Sequence, residues 1–182
     1  MKEKQKAVAE LNPKLQLIFQ RRSIRRYQQG DIPRSTLDDL LKAAMSAPSA
    51  CAKDPWHFIV IQKRETLNQL ADGLPNGQML RDAGAGLAIC GDPVRAHDNK
   101  ESYLIQDCSA AIENILLAAS ALGLGSCWLG VHPREDRIAH LRKVLDVPST
   151  IVPVAMIALG LPGESKESRS RFDASRVHHE QW

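Results

Sequence analysis

The sequence predicts an α+β fold of three layers, α/β/α. Three observations carry that reading. Helical and strand patterns alternate along the chain. The strand candidates are short and mostly apolar, as strands covered on both faces are. The chain has 182 residues, enough to bury roughly 70% of its extended surface around one core.

The elements follow in order. Leu15, Leu17, Ile18 and Phe19 predict a first helix running up to Arg21 and Arg22. Pro33 opens a second, with Leu37, Leu40, Leu41, Ala44 and Met45 at helical spacing, and Ala47-Pro48-Ser49 ends it. WHFIVI at 56–61 is a buried strand, 64–72 a helix and 73–77 a loop. Residues 87–90 (LAIC) form a second strand, stopped by Gly91-Asp92-Pro93. The longest helix spans about 102–122, with Ile105, Cys108, Ile112, Ile115, Leu116, Ala119 and Leu122 as its apolar stripe. Most of its other positions are small, so it is expected to be buried on nearly all sides, at the centre of the domain or of a dimer. Residues 126–131 form a third strand, Pro133 opens a helix to about 145, and 151–159 form a fourth strand. From Gly160 the chain turns polar and aperiodic. One domain over 1–182 is expected, with 160–182 as an extended C-terminal arm.

Composition excludes several classes. Lys plus Arg number 24 against 21 Asp plus Glu, a net charge of +3, too small an excess to predict nucleic-acid binding. Aromatic residues make up 4%, which argues against a base-stacking platform. No apolar run approaches the ~20 residues of a membrane span, and MKEKQKAVAE offers no apolar export core. The four cysteines, at 51, 90, 108 and 127, form no C-x-x-C pair, so a reduced, cytoplasmic setting is expected. Cys90 and Cys108 read as buried small hydrophobes. Cys51 lies in a loop with no base visible beside it in sequence.

The usual catalytic signatures are missing. Gly84-Ala85-Gly86 and Gly123-Leu124-Gly125 do not continue to G-x-G-x-x-G, and no G-x-x-x-x-G-K-[ST] or G-x-S-x-G occurs. No histidine pair has zincin spacing, so no metal site is expected. What stands out is RRSIRRY at 21–27, four arginines within six residues. In an extended segment Arg21, Ser23 and Arg25 share one side, a convergence suited to a phosphate; a solvated basic patch is the alternative. A proline-fenced loop, PSACAKDPW at 48–56, and a second basic pair, Arg169 and Arg171, follow.

Taken in order, R-R-S-x-R, then A-P-S-x-x-x-x-x-P-W-x-F-I-V, then L-G-L-G-x-x-W-L-G with P-R-E, then R-x-R-F-D resembles the nitroreductase family of FMN-dependent oxidoreductases. The resemblance covers about Leu15 to Trp182. It implies a mixed sheet flanked by helices and a homodimer interlocked by exchange of C-terminal arms. It also implies two FMN sites at the subunit interface. Carried over by position, Arg21, Arg22, Ser23 and Arg25 match the FMN-binding R-x-S-x-[KR], with Arg21 at phosphate or ribityl oxygens and Arg25 near the flavin N1–C2 carbonyl. Pro48 and Ser49, with Ala50 and Ala52 behind them, match the loop given to the partner's site. Asn76 takes the place of a polar contact to the flavin pyrimidine. Trp128, Leu129 and Gly130 match the strand end whose backbone N–H bonds flavin N5, and Arg169 and Arg171 match tail cations at the phosphate. Many members carry Asn and Gln where this chain has Ala52 and Asp54.

The implied activity is ping-pong hydride transfer through flavin N5. NADH or NADPH is the donor, and a nitroaromatic, a quinone or a similar small molecule is the acceptor. Neither nucleic acid nor membrane is an expected partner. A specialised flavoenzyme of the same fold, such as a dehalogenase, and an FMN-binding carrier or redox module stay open as alternatives.

Overall fold

A computed structural model describes residues 12–182 of the chain. Five strands form one sheet: β1 (Tyr27–Gln28), β2 (Trp56–Ile61), β3 (Ala85–Gly91), β4 (Gly125–Gly130) and β5 (Val152–Pro162). β5 is central. It pairs with β3 on one side and β4 on the other, β2 lies outside β3, and β1 pairs with the far end of β5 at Leu161 and Pro162. Every ladder among the described residues is antiparallel. Parallel pairing enters only at an isolated bridge between Ser23 and Ser126, so the sheet is mixed at that point alone.

Side-chain alternation divides the core in two. On β3 and β5, Leu87, Ile89, Ala155, Ile157 and Leu159 face one side, where α2 (Arg34–Met45) and α4 (Glu101–Ala121) cover them. Ala88, Met156 and Ala158 face the other side, under α3 (Arg64–Asp72) and α5 (Glu135–Leu145). This is the three-layer arrangement expected from the sequence. α2 buries Leu37, Leu40 and Ala44, three positions on one helical face. α4 buries Leu104, Cys108, Ala111, Ile112, Ile115, Leu116 and Ala119. Its other face, with Ile105, Ala110, Leu117 and Ala118, is only half-buried within one chain.

Several boundaries differ from the sequence reading. The first helix, α1 (Gln16–Gln20), ends before Arg21. β3 begins two residues earlier than expected, because Ala85 and Gly86 already pair with Leu159 and Ala158 of β5; at Gly86 a Cβ would lie 2.5 Å from the Met156 methyl. β5 runs through Pro162, into the segment expected to be the arm, because β1 is there to pair with it. Tyr27 of β1 lies over Gly160, where a Cβ would come within 2.7 Å of its ring, and Ile24 lies as closely over Gly125. Two glycines thus let residues 23–27 settle onto the strand ends.

Candidate functional site

The segment Arg21–Arg26 crosses the ends of β4 and β5. Ile24 points inward, and its N–H donates to the Ser126 carbonyl at 2.9 Å. The Tyr27 hydroxyl lies 2.8 Å from the Ile24 carbonyl and 3.1 Å from that of Ala158; burial pushes this phenol far above its ordinary value. With Ile24 inward, Arg21, Ser23 and Arg25 turn outward as the alternation predicts, and Arg22 joins them on the same cleft.

The chain beyond β5 returns along this segment. The Gly163 N–H donates to the Arg26 carbonyl at 2.8 Å, and the Arg169 N–H to the Phe19 carbonyl at 3.1 Å. Glu164 accepts from the Arg25 N–H at 2.6 Å and from Lys166 at 3.0 Å. Those two donors, the backbone one first, hold its carboxyl below the usual range. Lys166 also donates to the Ser23 carbonyl at 2.7 Å, and the Arg22 guanidinium donates to the Glu167 carbonyl.

Between these strands of chain lies a cleft of about 530 Å³. It is lined by Arg21, Arg22, Ser23, Arg25, Lys166, Arg169 and Arg171, with Ile18, Phe19 and Phe172 at its edge. Six of the lining residues are cations and none is acidic. Arg21 is partly satisfied within the chain, its Nε lying 3.0 Å from Glu113. A second cleft, of about 460 Å³, adjoins the first through Arg25. Asn76, Trp128, Leu129, Gly130 and Arg137 line it. A Cβ on Gly130 would meet nothing within 4 Å, so the strand end faces open space. Arg137 fixes that end by donating to the Gly130 carbonyl at 2.6 Å.

The structure therefore brings ten of the sequence-derived residues to two joined clefts. Pro48, Ser49, Ala50 and Ala52 do not join them. Their loop is anchored elsewhere: the Ala50 N–H donates to Asp107 Oδ1 at 2.9 Å, the Ser49 hydroxyl to Asp54 at 2.5 Å, and the Asp54 N–H back to Ser49 at 3.0 Å. Asp54 thus has a local partner inside its own turn. Sequence reasoning missed Lys166, Arg137 and Asp107. Only Arg137 carried a hint, as a cation one turn after P-R-E; the other two acquire their places by long-range contact.

The comparisons with known proteins agree with this fold. The sequence model of the Nitroreductase family matches residues 18–74 and 70–161. A protein of Archaeoglobus fulgidus, provisionally named NADH dehydrogenase/NAD(P)H nitroreductase, is 46% identical over 171 residues, covering 92% of this chain and 98% of its own. A crystal structure under the same provisional name from Bacteroides thetaiotaomicron superposes with a TM-score of 0.88 at 37% identity, covering 94% of this chain and 99% of the other. A nitroreductase-type structure in complex with FMN from Desulfovibrio desulfuricans gives a TM-score of 0.80 at 31% identity, covering 94% of this chain and 99% of the other. The chain belongs to the nitroreductase family.

Proposed function

We propose that the chain is an FMN-dependent NAD(P)H oxidoreductase that passes electrons to nitroaromatic, quinone or similar small acceptors. One observation carries the reading: a cleft lined by six cations and no acid opens, through Arg25, into a second cleft with an exposed tryptophan and an open strand end. A phosphomonoester brings about −1.5 to −2 charges, and the surplus positive charge of the first cleft matches it. The two volumes suit a phosphate arm and a flat ring.

In this reading Arg21, Arg22, Lys166, Arg169 and Arg171 hold the phosphate, and Ser23 lies at the polar chain next to it. Arg25, between the clefts, faces the ring edge and stabilises negative charge there, an effect enlarged where water is scarce. Asn76 supplies a polar contact to the ring, and Trp128, Leu129 and Gly130 present their backbone to it. FMN held there supplies the hydride chemistry, so no side-chain acid or base is needed. Relatives named for NAD(P)H and FMN support the choice of donor and cofactor.

The loop carrying Pro48, Ser49, Ala50 and Ala52 serves the site of a second copy in this reading, which makes the working form a homodimer. Its support is the apolar surface one chain leaves uncovered: the half-buried face of α4, Met45 at 56% exposure, Phe172 at 79% and Trp182 fully exposed. Among the described residues no helix is long and apolar enough to cross a membrane. The test is steady-state oxidation of NADH and NADPH by FMN-reconstituted protein, with and without a quinone or nitroaromatic acceptor, alongside sedimentation. Acceptor-dependent turnover by a 40 kDa species is expected, about twice the 20.1 kDa chain. No turnover with any acceptor overturns the proposal.

A further inference from the structure

Outside the two clefts, the fold joins two side chains that are 46 positions apart. Cys51 is exposed on the short turn Ala50–Ala52, and its Sγ lies 3.9 Å from His97 Nε2. Asp98 Oδ2 lies 3.6 Å from that same nitrogen. The His97 ring packs edge-on against Tyr103 of α4, centroids 5.1 Å apart. The sequence reading found no base beside Cys51; the fold supplies one.

Both loops are fixed. The Cys51 turn is held by Asp107 and by the Ser49–Asp54 hydrogen bonds described above, and the His97 loop by Tyr103. At the meeting point Cys51, Ala52, Asp98 and Asn99 have φ of 51°, 52°, 53° and 54°, a left-handed conformation that is costly without glycine and that gathers where side chains do chemistry. The other three cysteines differ. All are buried, and burial pushes the Cys90 thiol up to about 11 and that of Cys108 up to about 12.

We propose that Cys51 and His97 form a hydroperoxide-reactive thiol site. His97 Nε2 takes the thiol proton, and the Asp98 carboxylate steadies the resulting imidazolium. The thiolate attacks the terminal peroxide oxygen, so the S–O bond forms as the O–O bond breaks. Sulfur is oxidised by two electrons to a sulfenic acid. The peroxide is reduced, and its leaving group, hydroxide from hydrogen peroxide or alkoxide from an organic hydroperoxide, takes the proton back from His97 as water or alcohol. Cys51 sits on the loop that the proposed function gives to the flavin site of a second copy, so the flavin is kept oxidised and the added peroxide is the oxidant; the step itself uses no flavin electrons.

The test uses thiol-reduced, FMN-reconstituted protein at pH 7, pulsed with equimolar hydrogen peroxide, trapped with dimedone and mapped by mass spectrometry. The label is expected on Cys51 and not on Cys90, Cys108 or Cys127. His97→Gln is expected to slow labelling by about tenfold or more, the lower end of what a positioned base gives, and added imidazole to restore part of the rate in His97→Ala. Asp98→Asn, which suits the left-handed position, should slow it severalfold and keeps the test alive if the His97 variants fail to fold. Flavin absorbance in the same samples reports the cofactor separately. No label on Cys51, or equal rates in the parent, His97→Gln and Asp98→Asn proteins, overturns the proposal.

Discussion

Arg21 and Arg171 both line the basic cleft, yet their removal should differ in size. Arg171 is exposed and has no ion-pair partner among the described residues. Arg171→Ala deletes one charge and leaves nothing unpaired, so apoprotein stability should move by no more than about 0.5 kcal/mol. An exposed, charge-assisted contact to phosphate is worth about 1.5 kcal/mol, the low end of its range, so FMN affinity should fall about tenfold. Arg21 is 21% exposed and sits 3.0 Å from Glu113. Arg21→Ala removes a better desolvated contact and also strands a carboxylate beside the phosphate. A loss of about 3 kcal/mol, near two orders of magnitude in Kd, is expected. Adding Glu113→Gln to Arg21→Ala should recover part of that loss. The assay is titration of apoprotein by flavin fluorescence quenching, run with FMN and with riboflavin. Riboflavin lacks the phosphate and should bind all four proteins alike. If riboflavin weakens as much as FMN, or if Arg21→Ala costs no more than Arg171→Ala, the placement of the phosphate in this cleft is refuted.

Other expectations follow from the same contacts. Because the Glu164 carboxyl is held below its ordinary value of 4.5, its clamp on Arg25 and Lys166 contributes stability fully above that value and loses it as pH falls through the lower folded value; the protection factors of residues 163–172, exchange rates corrected for the intrinsic rate at each pH, should therefore fall on acidification below about pH 4.5, and at pH 7 in Glu164→Gln. Gly160→Ala drives a methyl into the Tyr27 ring and should cost about 1–3 kcal/mol, read as a lower denaturant midpoint with unchanged slope. Asp107→Ala leaves the Ala50 N–H without its acceptor and should cost about 1–3 kcal/mol, with faster proteolytic nicking between 48 and 55 than elsewhere.

Much of the fold was legible locally. The strands at 56–61, 87–90, 126–131 and 151–159 are largely apolar runs, and β2 to β5 lie on them, although β2 is an edge strand buried only at Trp56 and Ile61. The stripe of Ile112, Ile115, Leu116 and Ala119 marked the buried face of α4, and Cys90 and Cys108 are buried as expected. The basic segment was legible as a cluster, and its alternation sent Ile24 inward and its neighbours to the cleft. What escaped depends on partners far along the chain. β1 is two residues whose strand character comes from Leu161 and Pro162. Lys166 is an ordinary tail lysine until Ser23 and Glu164 hold it. Asp107 looks like a polar interruption of an apolar helix until the Ala50 N–H reaches it. Cys51 looked isolated because His97 lies two strands and a helix further along the chain.

The account rests on FMN seated across the two clefts and taking electrons from NAD(P)H there. Its most direct test is an anaerobic titration of the FMN-reconstituted protein in a sealed cuvette, followed in the visible band. Stoichiometric bleaching by NADH or NADPH, then full recovery of colour on adding one equivalent of quinone, is the predicted result. Protein that takes up no FMN, or whose colour survives an excess of both nicotinamides, would contradict it.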